Sequence, residues 1–184
     1  MTDKSWYDLF PEIEWIKDES LRRQVVAVYD EAIAIGNWSI SDVDRIPFTL
    51  LIPDTMISYR THVRAVTRMA HQVYQEYEQM YAGKYSLDYD ILIAGALLHD
   101  VGKLIEYEKN SDGKTVKSVL GKNLRHPFSG TGLVMKHGLP YAIAHIIANH
   151  AKEGDGTLRS PEAVIVNKLD MLNFDSLKSF AGMM

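Results

Sequence analysis

Cysteine is absent from this 184-residue chain, and with it go disulfides, thiolate metal ligands and cysteine nucleophiles. Any metal site must be built from His, Asp and Glu, a vocabulary that suits zinc, iron, manganese and similar ions. Long apolar runs are missing too. No stretch approaches the ~18 apolar residues that cross a membrane, and the opening Met1-Thr2-Asp3-Lys4-Ser5-Trp6 lacks a signal-like apolar core, so we expect a soluble, cytoplasmic protein with no membrane partner. Positive charge is not in excess. A formal net charge of -4 and a pI near 6.0 argue against a duplex nucleic acid partner, while a local positive pocket for a small anionic substrate stays open. Internal repeats and low-complexity tracts are lacking as well. With 46% hydrophobic and 24% charged residues, the chain can bury a sizeable core and reads as a single globular unit rather than a disordered one.

What is present is helical periodicity. Residues 19–35 carry Val25, Val28, Tyr29, Ala32 and Ile33 at helical spacing and stop at Gly36-Asn37. From Gly36 to Pro53 the pattern is irregular, with Pro47 and Pro53 as breakers, and predicts a loop with one short helical turn. A long helix through His62, Val66, Met69, Val73 and Tyr77 ends before Gly83. Asp88 or Asp90 can cap the next, which runs through Ile91 to Leu98, where the small Ala94-Gly95-Ala96 would let neighbouring helices come close. Asp112-Gly113 between two short alternating runs predicts a two-stranded β-hairpin near 107–117. Helices resume around Pro127 and Pro140, and a last one opens at Ser160-Pro161-Glu162, an N-cap, an N1 proline and an acidic first turn. The chain therefore reads as all-α, a bundle of five or more helices with that hairpin as an excursion.

One short run stands apart: Leu97-Leu98-His99-Asp100-Val101-Gly102-Lys103. His and Asp are both good ligands for divalent metal, although the dipeptide alone reads equally well as a buried hydrogen-bonded couple. Company decides between them. On a regular helix the two side chains diverge by about 100°, so one ion can meet both only beside the helix end, an end that Gly102 is expected to supply. His62 from the preceding helix and Asp170 from the last would complete one ion's ligands. His126 at the start of one helix and His150 at the end of the next could form a second position that shares Asp100 as a bridge.

The order His62, His99-Asp100, Asp170 resembles the HD superfamily of metal-dependent phosphohydrolases, and the likeness extends from residue 62 to residue 170. His126-Pro127-Phe128-Ser129-Gly130 and Ile146-Ile147-Ala148-Asn149-His150 are similar to the additional histidine helices of dinuclear members. The resemblance implies an HD-domain helical bundle over 59–184, with 1–58 as an N-terminal helical segment packed on it. It implies one or two divalent ions (Mn, Fe, Zn, Ni, Co or Mg) on His62, His99, Asp100, His126, His150 and Asp170. Asp100 and Lys103 would be the catalytic pair, Lys103 being similar to the lysine that faces a phosphate. The implied reaction is hydrolysis of a small, nucleotide-like phosphate monoester or diester by a hydroxide held on the ions. Paired histidines followed by a Gly-Tyr-Pro signature are missing, which argues against cyclic dinucleotides as substrates.

Alternatives keep the site and change the chemistry. The six ligands also fit a dinuclear-iron oxygenase resembling myo-inositol oxygenase, or a hydrolase of a non-phosphate bond. A ligand sensor with a purely structural metal is disfavoured because all six positions are filled. Lys103, Lys152, Arg125 and His145 are the candidate substrate contacts, with Arg60 and Arg64 as weaker ones, and His71 and His137 fall outside the pattern as surface residues. The stretch 36–59 and the excursion near Lys109–Val119 should shape the pocket. Trp6, Tyr7, Phe10 and Trp15 could either cap the bundle or support a homodimer.

Overall fold

A computed structural model describes residues 4–183. Nine α-helical segments and three 3-10 turns enclose one antiparallel pair of strands among those residues, in agreement with the all-α expectation. Helix α1 (Trp6–Leu9) and a 3-10 turn (Pro11–Trp15) lead into α2 (Glu19–Ile35), whose first amides Ser20 and Leu21 are capped by the Asp18 carboxylate. The loop that follows contains the short turn Ile40–Asp42. Helix α3 (Tyr59–Met80) is capped by Ser58, and α4 (Tyr89–Leu98) by Asp88. Then come α5 (Lys103–Glu106), strands β1 (Tyr107–Lys109) and β2 (Thr115–Lys117), and helices α6 (Val119–Asn123), α7 (His126–Lys136), α8 (Tyr141–Asn149) and α9 (Pro161–Phe180). The hairpin pairs Tyr107 with Lys117 and Lys109 with Thr115. Gly113 takes the left-handed φ of 76° that its turn demands.

Helix α4 is the axle. From Leu92 to Leu98 every residue is buried, because α3, α8 and α9 surround it and the Pro11–Trp15 turn packs on it. The expected close approach at its small residues is real: a Cβ on Gly95 would lie 2.4 Å from Ile146 Cδ1 on α8. Trp6 and Phe10 stack on Tyr29 of α2 in the same hydrophobic core as Leu97, Val101 and Leu104. Those aromatics cap the bundle. Buried Glu12 is gripped by the Arg64 guanidinium at 2.9 and 3.0 Å, and Arg60 donates to Leu9 O and Asp44. Both arginines thus fasten the N-terminal segment to α3.

The expected helix end at Gly102 is corrected. Helix α4 stops at Leu98, His99 and Asp100 occupy the tight turn after it, and Gly102 keeps a right-handed φ of -62° as the residue before α5. Glycine stands there for space. A Cβ would lie 2.1 Å from His126 O and 2.8 Å from Gly130 N, so a side chain would push α7 away from the turn that carries His99 and Asp100. Gly102→Ala should therefore cost about 1–3 kcal/mol, the usual penalty of overpacking a rigid contact, read by denaturant unfolding; an unchanged midpoint would contradict this account of the contact.

Candidate metal centre

Five elements converge on one buried point. His62 projects from α3, His99 and Asp100 from the α4–α5 turn, His126 from the first turn of α7, His150 from the end of α8, and Asp170 from the middle of α9. Pro127 at the second helical position and the extended backbone at Arg125 start α7 at that point. Asn167 of α9 donates to His150 O at 2.7 Å and fixes the end of α8. All six side chains predicted from the sequence are thus brought together.

The two oxygens of Asp100 face different partners. Oδ2 lies 3.4 Å from Nε2 of both His62 and His99, whereas Oδ1 lies 3.3 Å from His126 Nε2 and 3.5 Å from His150 Nε2. Within each pair the imidazoles meet Nε2 to Nε2 at 3.2 Å. Asp170 Oδ1 joins the first group, 3.1 Å from His62 and 3.9 Å from His99. Two donor groups therefore share one carboxylate, and in each the ligand atoms of His, His and Asp100 lie within 4.8 Å of one another.

Hydrogen bonds on the far side of the rings decide which nitrogen carries the proton. His99 Nδ1 lies 2.7 Å from Ala96 O and His150 Nδ1 2.7 Å from Ile147 O; a carbonyl only accepts, so both rings donate from Nδ1 and keep a lone pair on Nε2. His126 Nδ1 lies 2.7 Å from Glu106 Oε2. Burial opposes the charge of that carboxylate, but the hydrogen bond from His126 prevails and holds Glu106 at a pKa of about 2. Burial also pushes His126 down to about 4 despite Glu106, so the ring is neutral near pH 7 and its Nε2 also points a lone pair inward.

Three acceptors without a donor then surround the second point: His126 Nε2, His150 Nε2 and Asp100 Oδ1, an atom that is fully buried and makes no hydrogen bond. Such a cluster is repulsive unless a cation lies among the atoms. The first group shows the same preference. There the carboxylates of Asp100 and Asp170 outweigh burial and raise the His62 pKa. Burial likewise disfavours the charge of Asp100, yet the Lys103 ammonium beside it holds its carboxyl well below the usual carboxylate range. The donor chemistry fits divalent ions on His, Asp and carboxylate-bridged positions.

Lys103 sits beside the centre with little freedom. Its ammonium donates to Asp100 Oδ2 at 2.7 Å and to Phe48 O at 2.6 Å, which leaves one of three donors. It also lines a cavity of about 430 Å³ that opens onto His126 and Asp170. Phe48 to Leu51 and Lys117 contribute to its wall, as expected of the two undeciphered stretches. Arg125 and Lys152 line it as well, but Arg125 is engaged with Glu153 at 3.0 Å and Glu106 at 3.4 Å. His145 is not among the lining residues. Its Nε2 accepts from Ser160 N at 3.1 Å and its Nδ1 meets the Asn149 amide, so it ties α8 to the start of α9. His71 and His137 bond Tyr89 and Glu31, outside the site.

Sequence reasoning missed Glu106 and the main-chain oxygen of Phe48. The first reads as the polar end of a short helix, and the second has no side-chain signature at all.

A family model described as the HD domain matches residues 59–175. A dihydroneopterin 2',3'-cyclic phosphate phosphodiesterase from Methanocaldococcus jannaschii is 28% identical over 170 residues. That alignment covers 85% of this chain and 64% of the relative, so the chain spans just under two thirds of that protein's length. No solved structure matches. Six inward-facing His and Asp side chains on five elements, together with a family match over most of the same stretch, place this chain in the HD domain family.

Proposed function

We propose that the chain is a metal-dependent phosphohydrolase for a small, nucleotide-like phosphate monoester or diester. The observation that carries the reading is the divided carboxylate: Asp100 Oδ2 faces His62 and His99 while Oδ1 faces His126 and His150. Divalent ions held by these residues and Asp170 would polarise a phosphoryl oxygen and make a water nucleophilic near neutral pH. In this reading residues 59–184 form the catalytic unit, with 1–58 packed upon it.

The chain's own residues have separate duties. Asp100 bridges the two donor groups, and Lys103 orients it through one hydrogen bond while its remaining donor points to the substrate side. His126 and His150 are held in the tautomer that leaves Nε2 free. A cavity of about 430 Å³ falls within the range of small-ligand sites. Its apolar side, with Phe48, Leu51, Met171 and Phe174, suits a flat organic group, and its other side suits an anion. Lys152 is the lining cation with no acidic partner among the described residues, so we assign it to phosphoryl oxygens. The relative's name specifies a cyclic phosphate diester, which favours phosphoester chemistry over the oxygenase alternative and makes 2',3'-cyclic phosphates the first substrates to test.

Protein purified without chelator should hydrolyse such diesters in the presence of Mn2+, and chelation should abolish turnover. Asp100→Asn and His99→Ala should each lose at least about a hundredfold in kcat, in keeping with removal of a group that acts on developing charge; full activity of either variant in chelator would sink the reading. Lys152→Met should instead raise KM roughly tenfold with kcat little changed, the signature of lost charge-assisted binding that is uniform between ground and transition state. A KM equal to that of the wild type would remove Lys152 from the substrate site.

A further inference from the structure

Glu106 is fully buried, and each of its oxygens has its own work. Oε2 accepts from His126 N at 2.8 Å and from His126 Nδ1 at 2.7 Å. Oε1 faces Arg125 Nη1 at 3.4 Å and Lys117 Nζ at 3.5 Å, and the side chains of those two cations are partly exposed and line the cavity. Among the described residues no comparable carboxylate supports Nδ1 of the other three histidines. His99 and His150 lean on main-chain carbonyls, and His62 Nδ1 has no partner. The two donor groups therefore differ in what stands behind them.

We propose that Glu106 is a positioning residue for the second ion position alone, aligning His126 and raising its strength as a ligand, with Arg125 and Lys117 serving that carboxylate rather than the substrate. The inference rests on the two-position reading of the centre. A carboxylate behind a ligating imidazole fixes the ring's orientation and tautomer and increases its basicity. The ring's main-chain amide is bonded to the same oxygen, so the carboxylate also sets where α7 begins. The first group has no contact with Glu106, and a change there should leave it untouched. A merely structural Glu106, joining α5, the hairpin and α7, would instead disturb the whole centre.

Metal titration of chelator-stripped protein with Mn2+, followed by calorimetry, separates these cases without reference to activity. Wild type should bind two equivalents in two classes. Glu106→Gln, close to isosteric but uncharged, should keep the tighter class within about twofold and weaken the other by about 10–100-fold, the usual cost of losing such a support. Glu106→Asp, which keeps the charge but withdraws it by one methylene, should weaken the same class, and it serves if the amide variant fails to fold. His126→Ala should eliminate the second class, and adding Glu106→Gln to it should change nothing further. Equal weakening of both classes, no weakening, or a further loss in the double variant would overturn the proposal while leaving the two-position reading intact. A wild type that binds a single equivalent would overturn that reading itself, and this inference with it.

Discussion

One buried carboxylate organises this protein. Asp100 is removed from water with its charge retained, an arrangement that is costly unless cations and donors surround it on every side. Its surroundings supply them on one side: Lys103 donates at 2.7 Å to one oxygen, while the imidazole nitrogens around the other bring lone pairs and no donor. That second oxygen makes no hydrogen bond at all. The histidines, Asp170 and the tight turn gather around that carboxylate.

The rest of the fold can be understood as support for that turn. The carbonyls near the ends of α4 and α5 on either side of it need partners when buried. Tyr29 of α2 donates to Leu97 O, and Trp38 donates to Leu104 O at 2.9 Å, so the N-terminal segment braces the turn from behind. Phe48 O takes the Lys103 ammonium from the loop side. Gly102 lets the start of α7 come against the turn from a third direction, bringing His126 opposite Asp100. The helices that supply ligands are thus pinned where they end or begin, and α9 alone contributes from its interior, at Asp170.

Much of this was legible in the sequence, for physical reasons that differ by element. The six converging His and Asp side chains were readable because divalent-metal chemistry restricts the residue types, and because Asp88, Ser160 and the prolines at 127 and 161 announce where the bearing helices start. The hairpin was readable from Asp112-Gly113. Gly102 was misread because a glycine after an apolar helix looks like a stop signal, while its actual duty, yielding room to His126 O, depends on an element 24 residues later. Helix α6 and the first turn at Trp6–Leu9 are too short to produce periodicity. Glu106 was missed for the same kind of reason as Gly102: its partners His126, Arg125 and Lys117 are assembled by packing, and nothing in Lys103-Leu104-Ile105-Glu106 announces them. Similarly, His145 looked like a site residue because it shares a helix with His150, yet its direction carries it to Ser160.

The central claim is that Asp100 bridges two ion positions of unequal support. Anomalous diffraction from crystals grown with Mn2+ tests it most directly. The account predicts two anomalous peaks about 3.5–4 Å apart, one beside His62, His99 and Asp170 and the other beside His126 and His150, with an Asp100 oxygen on each. A single peak at full Mn2+ saturation, or peaks that leave either Asp100 oxygen unliganded, would contradict it.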